Sequence, residues 1–386
     1  MPWKESHVMN ERMNFVVRIE SGERVKDLCE EYGISRKTGH KFLQRYREYG
    51  PLGLFDESKR PHRLARKYPD EIRARVIQSK KDHPTWGAKK LYVELNKLEG
   101  ILKLPCEGTM HSWLDQNGLV KKRGRKRYKS DLHRVIGGVS KSPNDVWSAD
   151  FKGEFRVGNG KYCYPLTISD HYSRYLVSCE SLESPNGIGG RRVFDEAFRQ
   201  YGLPNAIRTD NGTPFVGRGL GGLSRLSIWW LKLGIKIQRI EPGHPEQNGR
   251  HERMHLTLKQ ETTRPSGKNL LQQQERFDDF IEEYNTKRPH EALGMKVPAK
   301  VYKPSVKEYP RETPEPEYPF HDIVKTVSPG GSVSFVGRNK AFFLGSALSG
   351  EKVGLRELKD NKWLVSFINL DLGYLDGKKC VFKPII

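Results

Sequence analysis

Three carboxylates stand out by where they fall. Asp150 lies inside Val146-Trp147-Ser148-Ala149-Asp150-Phe151, an apolar and aromatic run that reads as a strand. A carboxylate in such surroundings needs a partner, because an unpaired charge is costly to take out of water. Asp210 ends a short strand in Ile207-Arg208-Thr209-Asp210-Asn211-Gly212, at the carboxyl edge where α/β sheets place their sites. Glu252 falls in the first turns of a helix that follows Pro242-Gly243-His244-Pro245-Glu246-Gln247-Asn248-Gly249. Carboxylates on neighbouring elements repel unless a cation stands between them, and an all-oxygen ligand set selects Mg²⁺ or Mn²⁺.

The same helix carries a competing pattern. His251-Glu252-Arg253-Met254-His255 spells H-E-x-x-H, in which two histidines on one helix face bind Zn²⁺ and the glutamate is a general base. Such a site needs a third ligand, and Glu275, Glu282 and Glu283 are only loose candidates. A zinc protease would also leave Asp150 and Asp210 without a use. Lys259 lies two helical turns beyond Glu252 on the same face, where it would touch a phosphate. Arg253 and His255 are further neighbours of that face.

These side chains need a sheet and helices to hold them. Val146–Phe155, Tyr162–Ser169 and Tyr175–Glu180 read as three successive antiparallel strands. Val193–Tyr201 is helical, Ala206–Thr209 a strand, Ser224–Leu233 a helix, Ile235–Ile240 a strand, and Gly249–Glu261 and Asn269–Tyr284 are helices. Strands first, then alternating β and α units, predict a mixed-sheet α/β domain.

Two helical units precede it. A helix over Val25–Tyr32, a turn at Gly33, a core plug at Ile34 and a capping Ser35 before a helix through Tyr46 have the form of a helix-turn-helix. Its second helix would present Arg36, Lys37, His40 and Lys41 to a DNA major groove. A second such unit, winged or plain, runs from Pro69 to Val120, with a break at His83-Pro84-Thr85-Trp86-Gly87 and an end at Asn117-Gly118. At the far end, Pro304, Pro310, Pro314, Pro316 and Pro319 mark a semi-rigid linker, and Ser332–Val336, Lys340–Leu344, Lys352–Glu357, Trp363–Ile368 and Gly373–Leu375 read as short strands that suit a small β-barrel.

Charge identifies the partner class. Lys and Arg number 68 against 47 Asp and Glu, a formal net charge of +21, which points to a polyanion and first of all to nucleic acid. Residues 1–150 hold 32 basic and 20 acidic side chains, so more than half of the excess lies in the first two-fifths of the chain. The densest run is Lys121, Lys122, Arg123, Arg125, Lys126, Arg127 and Lys129, which reads as an extended arm against a phosphate backbone. The five scattered cysteines hold no C-x-x-C pair and form neither a disulfide framework nor a zinc site. No long apolar run and no signal-like first segment occur, so the expectation is a soluble protein, not a membrane or secreted one.

Several motifs then occur in one order. They are Trp147-x-x-Asp150-Phe151, Thr209-Asp210-Asn211-Gly212-x-x-Phe215, His244-Pro245-Glu246-Gln247-Asn248-Gly249-Arg250-x-Glu252-Arg253, Leu258-Lys259, and Tyr284-Asn285-x-x-Arg288-Pro289-His290-x-x-Leu293. Together they resemble the DDE transposases of bacterial insertion sequences, which share the RNase H-like core of retroviral integrases. His83-Pro84-x-Trp86-Gly87-Ala88-x-Lys90, the tandem helix-turn-helix units and the C-terminal β region resemble that group too.

The resemblance implies a catalytic and metal-binding triad of Asp150, Asp210 and Glu252 with two Mg²⁺ ions, or Mn²⁺ in their place. It implies cleavage at the 3′ ends of a mobile element, transfer into target DNA, and work as at least a dimer on double-stranded DNA in the cytoplasm, at the nucleoid. The interval from Asp210 to Glu252 is longer than the family's usual spacing, and the extra residues fall in Val216–Gly222. The N-terminal His/Cys zinc module of retroviral integrases is missing. The expected architecture is multidomain α and α/β. It runs as helix-turn-helix domains over 1–62 and 63–120, a basic arm over 121–142, an RNase H-like core over 143–303, a Pro-rich linker over 304–324 and a β-barrel over 325–386. The main rival reading is a DNA-binding regulator that has lost catalysis.

Overall fold

Caps and glycines set the helix ends of the first unit. The computed structural model describes residues 8–57, 68–98, 104–121, 140–217, 219–240, 249–335 and 341–385, and the chain divides into units 1–67 and 68–386. In the first, α1 (Val8–Glu20), α2 (Val25–Glu31) and α3 (Arg36–Tyr49) enclose Phe15, Val16, Leu28, Cys29, Leu43 and Leu54. Gly33 turns the chain at φ +62°, a left-handed conformation that suits glycine. The Ser35 hydroxyl then accepts the Thr38 N–H at 3.1 Å to cap α3. Arg36, Lys37, His40 and Lys41 are all exposed on α3. Helix α1, in which Asn10 and Asn14 interrupt the apolar pattern, was not foreseen from the sequence.

The second unit opens with α4 (Asp70–Asp82), α5 (Ala88–Leu98) and α6 (Glu107–Gln116), packed on Val76, Trp86, Leu91, Leu95, Met110 and Leu114. The break at 83–87 is where expected, and it buries Trp86 completely.

The α/β region is a mixed sheet. Its strands are β1 (Val146–Phe151), β2 (Phe155–Arg156), β3 (Tyr162–Asp170), β4 (Leu176–Leu182), β5 (Ala206–Thr209) and β6 (Lys236–Arg239). Strand β3 pairs antiparallel with β1, β2 and β4, while β1, β5 and β6 run parallel. Side chains alternate between faces along a strand. One face presents Trp147, Ala149, Leu166, Ile168 and Ile207 to α7 (Gly187–Tyr201) and α8 (Arg225–Lys232) in a core with Phe194, Phe198, Trp229 and Trp230. Helix α7 starts six residues before the expected Val193. Gly187, Gly189 and Gly190 lie in its first turn, which is held because the Asn186 side chain accepts the Gly189 N–H at 2.7 Å.

On the opposite face, α9 (Gly249–Thr262) and α10 (Leu270–Glu282) pack through Met254, Leu258, Phe277 and Phe280, with Tyr284 just beyond α10, against Cys163, Leu176 and Cys179. A π turn over Glu283–Lys287 follows α10 and aims Asn285 at the backbone of Leu176. The amide oxygen of Asn285 accepts the Leu176 N–H at 2.8 Å, and its NH₂ donates to the Leu176 carbonyl at 2.9 Å.

Beyond the core, the proline-rich stretch bonds back to it. Leu203 N–H donates to Lys307 O at 2.8 Å, and the Tyr309 hydroxyl donates to Asp195 at 2.6 Å. The C-terminal strands are β7 (Ile323–Thr326), β8 (Ser332–Ser334), β9 (Ala341–Phe343), β10 (Lys352–Glu357), β11 (Lys362–Phe367), β12 (Leu370–Asp376) and β13 (Val381–Pro384). They form a five-stranded sheet in the order β13-β12-β11-β10-β7 and a separate β8-β9 hairpin. No ladder closes these into the expected barrel among the described residues. Packing joins the two sheets through a shared core of Val333, Phe342, Val353, Leu355, Val365, Phe367 and Leu375. That core also takes Leu223 and Ile228, and Leu220 of the Val216–Gly222 stretch packs half-buried against it, so the extra residues after Asp210 help to seat the C-terminal sheet. Among the described residues no helix is long and apolar enough to cross a membrane.

Asn285 offers a direct test of this packing. Asn285→Leu leaves a buried N–H and a buried C=O without partners, each costing about 1–3 kcal/mol. A lowered midpoint of thermal unfolding is expected, and an unchanged midpoint would contradict the bridging role.

Candidate active site

Register brings the first two carboxylates together. Parallel pairing of β1 with β5 sets Ser148 beside Arg208 and Ala149 beside Thr209. One step further along these strands stand Asp150 and Asp210, on neighbours about 4.7–4.9 Å apart. The turn after β5 is pinned as the Asn211 amide donates to Ile240 O at 2.9 Å and Gly212 N–H donates to Asp210 Oδ1 at 3.1 Å. A Cβ on Gly212 would press on that carboxylate, which accounts for glycine there.

Glu252 lies in the first turn of α9, exposed, with Lys259 exposed on the same flank. Burial and then the charge of Asp210 push the Asp150 carboxyl up to about 7, with Glu252 adding to the rise and Lys152 opposing it. The three acids therefore share one electrostatic field. This is the donor chemistry that a hard divalent cation relieves. As they stand, no three His, Cys, Asp or Glu side chains among the described residues are close enough together to hold an ion.

Another core carboxylate, Asp170, is of a different kind. It is buried and accepts bonds from Asn144 N–H at 2.8 Å and from Ser173 N–H and hydroxyl at 2.7 and 2.6 Å, so its bonding capacity is spent on the fold.

The histidines of the H-E-x-x-H pattern point away from Glu252. His251 and His255 are 2% and 4% exposed, and both place Nε2 against the Thr167 hydroxyl, at 2.8 and 2.6 Å. His251 Nδ1 meets Ser169 Oγ at 2.8 Å, and His255 Nδ1 lies 3.7 Å from Asp150 Oδ2. Burial lowers His251 to about 3 and lowers His255 as well, so both rings are neutral at physiological pH. Glu275, Glu282 and Glu283 add no third ligand. The zinc arrangement is excluded because the histidines bond to the sheet while the glutamate faces outward.

Thr167, Ser169 and Ser148 form a hydroxyl stripe that the sequence reading missed. Period-two alternation in Leu166-Thr167-Ile168-Ser169 was the signal: it puts both hydroxyls on the face of Asp150. Of the expected DNA contacts, Arg36, Lys37, His40 and Lys41 share α3, and Lys121 follows α6. Lys122, Arg123, Arg125, Lys126 and Arg127, with the 241–248 segment, lie outside the described residues.

Residues 140–245 and 233–298 match models described as integrase core domain, 11–62 a helix-turn-helix domain and 38–114 a homeodomain-like domain. The chain is 26% identical over 235 residues to an uncharacterized 31.7 kDa protein of insertion element IS407 from Burkholderia multivorans, covering 59% of this chain and 79% of that one. It is 27% identical over 276 residues to an uncharacterized 39.2 kDa protein of insertion element IS476 from Xanthomonas euvesicatoria, covering 69% and 74%. Among solved structures, the HTLV-2 integrase catalytic core domain in complex with magnesium is similar at 16% identity and a TM-score of 0.35, covering 43% of this chain and 100% of that one.

The raised Asp150 makes stability depend on pH. Its folded value of about 7 lies above the unfolded value near 4, so the folded state holds the extra proton between these limits. With chelator present, stability contributed by this group is full below pH 4 and is lost as pH rises to 7. Asp150→Asn is expected to match wild type in thermal unfolding at pH 4 and to exceed it at pH 8; equal midpoints at pH 8 would contradict the coupling.

Proposed function

We propose that this chain, with the integrase core and helix-turn-helix modules by which it resembles the DDE transposases of insertion sequences, cuts the ends of a mobile DNA element and joins them to target DNA. The observation that carries this reading is the β1–β5 register, which aligns Asp150 with Asp210, coupled electrostatically to Glu252. Asp150, Asp210 and Glu252 would hold Mg²⁺, or Mn²⁺, as two ions. When bound, the ions stabilise attacking and leaving oxygens of an in-line displacement.

The protein's own groups do the positioning. Lys259, on the flank of Glu252, holds a DNA phosphate. In the first step a water oxygen bonds to phosphorus as the bond to the element's 3′ oxygen breaks, leaving a 3′-hydroxyl and a 5′-phosphate on the flanking strand. In the second, that 3′ oxygen bonds to a target phosphorus and a target 3′-hydroxyl leaves. No protein nucleophile is required.

The α3 side chains Arg36, Lys37, His40 and Lys41 read the element ends, with Lys121, Lys122, Arg123, Arg125, Lys126 and Arg127 on adjacent phosphates. In this division of labour the domains keep the bounds 1–62, 63–120, 121–142, 143–303, 304–324 and 325–386. Two ends must meet, so the working form is at least a dimer on double-stranded DNA at the nucleoid.

Single substitutions Asp150→Asn, Asp210→Asn and Glu252→Gln should each lower Mg²⁺-dependent joining of labelled element ends by roughly two orders of magnitude or more, with end binding kept. Joining retained in any one would refute its role. End binding without joining in wild type would favour the regulator reading.

A further inference from the structure

Two of the sequence motifs have no part in the chemistry above, and the structure joins them. In His83-Pro84-Thr85-Trp86-Gly87-Ala88-Lys89-Lys90, Trp86 fills the core of the α4–α6 module and stacks on His83 at 4.0 Å between centroids. The polar residues of the same turn reach the α/β core. His83 Nδ1 meets Glu283 Oε1 at 2.8 Å, and Lys89 Nζ meets Glu291 Oε1 at 2.9 Å. At the centre, the Thr85 hydroxyl donates to Glu261 Oε1. Arg288 Nη1 donates to both Thr85 Oγ1 and Glu261 Oε1, each at 2.9 Å. Arg288 is only 7% exposed, and burial lowers the neighbouring Lys90 to about 8. A bonded ion pair at this depth is specific in geometry, because removing one partner strands the other.

The joint grips the helix that carries the third carboxylate. Glu252 and Glu261 are both on α9, two and a half turns and about 13–14 Å of rise apart, so they occupy opposite flanks. We infer that Thr85, Glu261 and Arg288 are positioning residues: they lock the α4–α6 module to the flank of α9 opposite Glu252, so that DNA held by the module meets the carboxylates at one fixed phosphate. This rests on the DNA-joining reading.

The test uses the full chain, Mg²⁺ and end-labelled duplexes carrying the DNA that borders its gene, with product position read at nucleotide resolution. Thr85→Val removes the hydroxyl at similar volume. It should bind ends within about twofold of wild type, while joining falls roughly 10- to 100-fold and spreads to neighbouring phosphates. Thr85→Ser should restore a single position, and Glu261→Gln should reproduce the spread. The place of cutting is a readout that mere destabilisation would not move. Joining by Thr85→Val at one phosphate and at the wild-type rate would overturn the inference. A wild type that joins no DNA would instead overturn the reading beneath it.

Discussion

The repulsion between Asp150 and Asp210 is the constraint on which the rest of the site depends. Hydrogen bonding in the sheet gains most when β1 and β5 pair in register, and that register leaves two carboxylates abreast at the strand ends. Burial and the neighbouring charge together lift Asp150 to about 7. Metal-free protein can relieve this strain only by holding a proton. A divalent cation relieves it without one, and such a cation is what two-metal phosphoryl-transfer sites use.

The surrounding polar groups fit this reading. Thr167 and Ser169 engage His251 and His255, so the helix face above Asp150 is filled by neutral, hydrogen-bonded rings. Glu252 is left free on the outer flank, and the histidines that looked like ligands serve as packing with direction. On the far flank, Glu261 meets Thr85 and Arg288. One helix thus faces the sheet, the open flank of Glu252 and an accessory module at once.

Much of this was legible in the sequence because it follows from short-range rules. The apolar and aromatic run Val146–Phe151, a capping Ser35 and the Asn-Gly turn after Asp210 placed β1, α3 and the end of β5. What failed depended on long-range contacts. The glycines before Val193 are helical because Asn186 caps them. Strands β7 and β13 were missed because each is a short edge whose pattern shows only against its partner. The barrel is an open sheet with a hairpin, a distinction that strand content alone does not carry. The inward turn of His251 and His255 depends on β3, more than eighty residues away in the chain.

The central claim is that three coupled carboxylates await a divalent cation, and proton release on metal binding tests it most directly. Titrating Mg²⁺ calorimetrically into the protein in buffers of different ionisation enthalpy gives the number of protons displaced. With Asp150 near 7, close to one proton per chain should leave at pH 6 and almost none at pH 8.5. Binding without proton release at pH 6, or no binding at either pH, would contradict the account.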